Sequence, residues 1–180
     1  MPRTFASLAI ATLTLFAIAA AVALIDSDSA PDRHVLLGIG ALLLSCLVQV
    51  ISFTYLTVTG KVIVQAAHLA KLDPACLARV KQYKRSFSRH LGLAVISAVL
   101  ASASGGAAWR SHDALSVHIP AAVLAAIIHS WIYWRQHRIL RCNADLVEAT
   151  LKAYSSWRTR RTHSKAADAA GEEGNVLAPQ

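Results

Sequence analysis

Residues 35–58 read VLLGIGALLLSCLVQVISFTYLTV, an apolar run that contains no Asp, Glu, Lys or Arg. At a rise of about 1.5 Å per residue, a helix of this length covers the ~30 Å hydrocarbon core of a bilayer. A soluble protein rarely contains such a run. This stretch therefore predicts a membrane-spanning helix, and it sets the expectation for the rest of the chain.

Three further apolar stretches have the same character and cover residues 5–25, 91–109 and 118–134. The fourth is short, but it ends in Trp131, Tyr133 and Trp134, which is typical of an aromatic belt at a membrane interface. The composition agrees, with 55% hydrophobic residues against 16% charged. We predict an all-α integral membrane four-helix bundle within residues 1–161. The alternative is a two-helix hairpin with a buried soluble core.

The N-terminus has a second interpretation. Arg3, the apolar run and the small residues 19–23 resemble a secretory signal with a cleavage site. The apolar run exceeds the usual length of such a signal, so an uncleaved first span is preferred.

Basic residues are distributed unevenly between the predicted loops. Of the 18 Lys and Arg residues, only Arg33 and Arg110 fall in the short loops 26–34 and 110–117. The positive-inside rule then places both termini and the 61–89 loop in the cytoplasm of a multi-pass inner-membrane protein. The net charge of +8 therefore matches anionic lipid, and no aromatic-interleaved basic motif indicates a nucleic acid partner.

Helical patterns continue on the cytoplasmic side of the second and fourth spans, over residues 61–89 and 135–158. Asp73 followed by Pro74 predicts a helix start. On the second of these segments, apolar residues step by four and three from Leu140 to Leu151 and Tyr154. The two segments are expected to pack on each other, or else to lie on the membrane surface as amphipathic helices. The composition of residues 162–180 predicts a disordered tail.

Polar residues inside a span are costly and are therefore candidates for function. Gln49, near the middle of the second span, shares a helical face with Ser45 and Ser52. The simplest interpretation is hydrogen bonding between helices, and contact with a ligand or ion is the alternative. In the third span a ladder of small residues predicts close helix packing inside the bundle or against another copy, and it comprises Ala94, Ala98, Ser102 and Gly106.

Four histidines form two layers, with His34 and His118 at the predicted outer ends of spans and His90 and His129 in the inner half. Facing imidazoles can hold haem or a metal ion. The paired spacing expected of a di-haem bundle is missing, so the preferred expectation is no cofactor and no metal site, with His129 bonded to a neighbouring hydroxyl, near Gln49 or Ser52. Haem bound by these four residues is the alternative.

Other chemistry is poorly represented in the sequence. Cys46, Cys76 and Cys142 do not suggest disulfides, because the latter two lie on the predicted cytoplasmic side. The chain contains no CxxC, HExxH or GxSxG motif, and no span contains a carboxylate. An enzyme is therefore the less favoured class.

A short motif at the end of the second span carries a family resemblance. The residues concerned are Ser52, Phe53, Thr54, Tyr55, Thr59, Gly60 and Lys61. With a histidine at the outer start of the span, this pattern resembles a set of small, functionally unassigned four-helix bacterial inner-membrane proteins. The resemblance covers the second and third spans and implies no activity.

Together these features favour a non-enzymatic accessory or assembly-type membrane protein that binds the bilayer, other membrane proteins or itself as a homo-oligomer. The alternatives are a haem- or quinone-associated electron-transfer subunit and a small dimeric transporter.

The predicted orientation can be tested by cysteine labelling from outside the cell in a variant without the native cysteines. Probes at Ser27→Cys or Ser111→Cys should react, and probes at Gln82→Cys or Ser155→Cys should be protected, because the basic loops stay inside. The opposite labelling pattern would reverse the topology.

Overall fold

The computed structural model describes residues 2–25, 31–108 and 112–176. Four helices account for nearly all of them: α1 (Pro2–Ile25), α2 (Pro31–Ala70), α3 (Ala75–Ala108) and α4 (His112–Val176). Pro2 and Pro31 stand at the first helical positions, where a missing N–H is harmless and the fixed φ suits a helix. The predicted all-α, four-helix architecture is confirmed for the described residues.

The centre of the bundle is a parallel pair formed by α2 and α4. Side-chain hydrogen bonds join Ser45 to Tyr133 and Thr59 to Asn143, so the partner numbers rise together along both helices. Helices α1 and α3 are antiparallel to this pair and flank it on opposite sides. Each flanking helix contacts both α2 and α4, but α1 and α3 do not touch each other within the described ranges.

All four helices are long and apolar enough to cross a membrane, and only 22–28% of their most hydrophobic windows is buried inside the protein. Large apolar side chains point outward on every helix, among them Ile10, Leu43, Leu100 and Ile127, each more than 60% exposed. Such a surface is unfavourable in water and suits lipid tails. The chain therefore has the features of a multi-pass membrane protein.

Contacts between helices show which turns lie at the same level. The Phe5 ring packs on Tyr133 and His137, and His90 packs on Trp131. The apolar stretches of α1, α3 and α4 thus have one end at the same level, near Phe5, His90 and Tyr133. On α2 the same level is near Ser52, because Phe53 already lies beside the Lys84 ammonium, 5.7 Å from the ring centre. Gln49 therefore lies near the end of the apolar part of α2 that faces the extension, and not in the middle of the span as predicted.

The connection between α2 and α3 is a tight turn with complete capping. Lys71 takes the left-handed conformation with φ of 51°, and the Leu72 N–H bonds the Ala67 carbonyl at 3.0 Å, which closes α2 in a Schellman-type end. The Asp73 carboxylate accepts a 2.8 Å hydrogen bond from the Ala75 N–H and caps α3. The helix start predicted at Asp73 and Pro74 lies at this turn.

Below the apolar band, α2, α3 and α4 continue together as a three-helix bundle, which we call the extension: residues 60–70, 75–89 and 138–151. Val80 packs against Gly60, where an added Cβ would lie 3.1 Å from the valine. Phe87 is fully buried. On α4 the buried stripe runs through Leu140, Asn143, Leu146 and Thr150, whereas Leu151 of the predicted apolar seam is 44% exposed.

Helix α4 extends further along the bundle axis than α2 and α3. Its last buried side chain among those described is Thr150, and the following residues are exposed or half-buried. We call residues 152–164 the α4 arm. The helix continues through residues 162–176, for which the sequence predicts a disordered tail. Alanines at 166, 167, 169 and 170 favour helix, and residues 162–178 contain no proline. Residues 177–180 lie outside the described part.

Candidate functional site

A ladder of hydrogen bonds between α2 and α4 contains four of the buried polar side chains: Ser45, Gln49, Gln136 and Asn143. The Ser45 and Tyr133 hydroxyls are 2.9 Å apart. One turn below, Gln49 and Gln136 bond reciprocally, each amide nitrogen donating to the other carbonyl oxygen, at 3.2 and 2.7 Å. Both glutamines are at most 3% exposed. The two buried amides thus form a reciprocal hydrogen-bonded pair between α2 and α4.

The third hydrogen bond lies where the extension begins, and in it the Asn143 amide donates to the Thr59 hydroxyl at 2.9 Å. The ladder therefore continues past the apolar band. Ser52 is buried as well, and it lines a narrow apolar cleft with Phe5, Tyr55 and Leu140. The cleft has room for about one water molecule, with a volume near 10 Å³. The hydrogen-bonded positions therefore join α2 to α4, and the cleft beside Ser52 is of water size.

His129 is buried between three helices, with 1% exposure. Its Nδ1 lies 2.9 Å from the Ala125 carbonyl and 3.4 Å from the Ser97 hydroxyl of α3. Rings of Phe16 and Tyr133 pack on it at 5.5 and 6.0 Å, and its Nε2 has no hydrogen-bond partner. His129 thus contacts the hydroxyl of Ser97 on α3. The sequence predicts neighbours on the second span, near Gln49 or Ser52.

His90 belongs to a different environment. Its Nδ1 bonds the Ser86 carbonyl one turn earlier at 2.7 Å, and its ring packs on Trp131 with centroids 5.3 Å apart. The inner pair of the predicted histidine layers is therefore divided between two separate sets of neighbours.

The outer pair is brought together. The rings of His34 on α2 and His118 on α4 are in edge-to-face contact, with centroids 6.0 Å apart and planes at 74°. Both side chains are half-buried. His34 Nδ1 lies 2.9 Å from the Ala19 carbonyl of α1, and His118 Nδ1 lies 3.2 Å from the Ser104 hydroxyl of α3. Four helices thus meet at this histidine pair.

Haem does not fit between these two rings. A Cβ added to Gly105 would lie 2.9 Å from His118 Cε1 and 3.5 Å from His118 Nε2, so the α3 backbone lies against the imidazole. An axial histidine needs the porphyrin plane about 2 Å beyond its coordinating nitrogen, where α3 would obstruct the macrocycle. The backbone of α3 at Gly105 thus closes one side of the His118 ring.

The small-residue ladder of α3 divides into an inner and an outer part. Ala94 is buried at 2% and Ala98 is half-buried, but Ser102 and Gly106 are exposed, and a Cβ on Gly106 would meet nothing within 4 Å. The helix rotates relative to the expected face, so that Gly105 makes the close approach. Packing inside the bundle thus holds for the first two residues of the ladder, and the last two face away from this chain.

The described ranges contain no larger cluster of possible metal ligands. Groups of three or more His, Cys, Asp and Glu side chains that could hold a metal ion are missing from these ranges. Comparisons with protein-family models, with curated proteins and with solved structures find no match for this chain. Its function has to be inferred from its own geometry.

The pair Gln49 and Gln136 gives a direct test of the hydrogen-bond ladder between α2 and α4. Gln49→Leu alone should destabilise the bundle by about 1–3 kcal/mol, because the buried Gln136 amide loses its partner. The double variant Gln49→Leu/Gln136→Leu should recover most of this loss. Thermal unfolding in detergent measures the effect, and Gln65→Leu, at an exposed position of the same helix, is the control. If the double variant lost as much stability as the two single variants lose together, the pairing of Gln49 with Gln136 would be contradicted.

Proposed function

We propose that this protein is a non-enzymatic accessory component of the bacterial inner membrane, which recruits a cytoplasmic protein with an acidic surface through the α4 arm. In this proposal four spans cross the membrane and both termini lie in the cytoplasm. The observation that carries the proposal is the departure of α4 from the bundle after Thr150.

The α4 arm is strongly basic. Residues 152–164 contain Lys152, Arg158, Arg160 and Arg161 and no acidic residue. All four side chains are exposed. Tyr154 and Trp157 pack ring on ring along the helix at 5.7 Å, and the Arg161 guanidinium lies over the Trp157 ring at 5.3 Å. Tryptophan, tyrosine and arginine are the residues that most often dominate protein interfaces.

Distance favours a protein partner over the lipid surface. Trp157 follows the aromatic belt residue Trp134 by 23 residues of helix, or about 35 Å along the axis. The attraction of a charge to anionic headgroups fades within a Debye length of about 8 Å at physiological salt. An arm that continues along the bundle axis therefore presents its charges to the cytoplasm, where an acidic protein surface complements them.

The arrangement of the bundle supports an accessory role over an enzymatic one. The buried polar groups of α2 and α4 are mostly paired with each other, and the cleft beside Ser52 is of water size. The extension gives the arm a rigid base, because α2, α3 and α4 pack around the buried Phe87. A rigid, basic, aromatic helix beyond the membrane is suited to holding a partner in place.

Photo-crosslinking in native membranes tests this proposal. A benzophenone amino acid at Ser156 should give a crosslinked protein, and the triple variant Arg158→Glu/Arg160→Glu/Arg161→Glu should reduce its yield at least about tenfold, since repulsion replaces attraction.

Lys81→Glu/Arg85→Glu/Arg89→Glu, which makes the same charge change at exposed sites of α3, is the matched control and should leave the yield unchanged. An adduct that nuclease removes, an adduct to lipid, or equal loss in both triple variants would reject the α4 arm as a protein-binding element.

A further inference from the structure

We propose that His34 and His118 form a two-imidazole site for a first-row transition-metal ion, with copper preferred. The site lies at the end of the bundle opposite the α4 arm, where α1 bonds His34 and α3 bonds His118. It is independent of the proposed recruitment function.

The tautomer of His34 follows from its hydrogen bond. Nδ1 lies 2.9 Å from the Ala19 carbonyl oxygen, which can only accept. Nδ1 must therefore carry the proton, and the lone pair of the neutral ring lies on Nε2. This is the arrangement of a metal-binding histidine whose second nitrogen is oriented by a backbone carbonyl.

His118 reaches the same state by a different route. The Ser104 hydroxyl donates its single proton to the Ala101 carbonyl at 2.8 Å. Toward His118 Nδ1, at 3.2 Å, that hydroxyl can therefore only accept, so Nδ1 again carries the proton. Both imidazoles thus present an Nε2 lone pair, because Nδ1 carries the proton in each ring.

The spacing of the rings suits one shared ion. With metal-nitrogen bonds of about 2.0–2.1 Å, two Nε2 ligands place their ring centroids about 5 Å apart at a tetrahedral angle and about 6.4 Å apart when directly opposed. The observed 6.0 Å lies within this interval.

Gly105 makes room for His118 at this position. An alanine there would bring its Cβ to 2.9 Å from Cε1 and force the ring to move. Because the α3 backbone obstructs a macrocycle but leaves the half-buried rings open to water, the ligand is a bare ion that completes its coordination with water. Imidazole nitrogens suit copper, zinc and nickel, and Cu²⁺ binds most tightly in the Irving–Williams order.

The test is a Cu²⁺ titration of the purified full-length protein in detergent, followed by calorimetry and by electron paramagnetic resonance. One equivalent should bind with a spectrum that shows two imidazole nitrogens. His34→Gln and His118→Gln should each weaken binding at least about tenfold, whereas His68→Gln and His163→Gln, at exposed positions, should retain it.

Two milder variants separate a metal site from a merely structural histidine pair. Ser104→Ala and Gly105→Ala keep both imidazoles but disturb the orientation of His118, and each should weaken Cu²⁺ binding roughly tenfold, as second-shell changes do. Circular dichroism should show unchanged helix content in both. Binding that is equally tight in wild type and in His34→Gln/His118→Gln, or an unchanged affinity in all four site variants, would overturn the proposal.

Discussion

Parallel pairing of α2 with α4 through buried side-chain hydrogen bonds is the constraint on which the rest of the structure depends. In a bilayer the lipid tails are as apolar as the helices, so packing and hydrogen bonds have to fix the register. The register that joins Ser45 to Tyr133 also joins Gln49 to Gln136 and Thr59 to Asn143. A shift of one turn would leave several buried amides and hydroxyls unpaired, each at a cost of about 1–3 kcal/mol.

The apolar segments could be predicted from the sequence because their signal is local. The turn at Asp73 could be predicted for the same reason. The buried stripe of α4 could not be predicted, because Gln136, Asn143 and Thr150 are polar, and a search for apolar periodicity assigns such residues to the solvent. Gln136 also follows the predicted end of the fourth span, although it pairs with Gln49 inside the second. Hydropathy places each helix in the membrane but does not align one helix with another.

The histidines illustrate the same limit. The predicted span orientation groups them into an outer and an inner layer, and the two layers differ in their contacts. His34 and His118 meet because they face each other across the α2–α4 pair, whereas His90 and His129 have separate partners in Trp131 and Ser97. Which histidines converge depends on helix neighbours and rotation, and those are tertiary properties. The same α4 helix carries His118 near one end and the basic arm toward the other, with the residues of the ladder between them.

The most direct measurement of the parallel register is disulfide crosslinking in native membranes, in a chain without its own cysteines. Thr59→Cys with Asn143→Cys replaces two side chains that touch at 2.9 Å and should form a disulfide rapidly under mild oxidation. Thr59→Cys with Thr150→Cys, about 10 Å further along α4, should remain reduced. Efficient crosslinking of the second pair, or none of the first, would contradict the α2–α4 ladder.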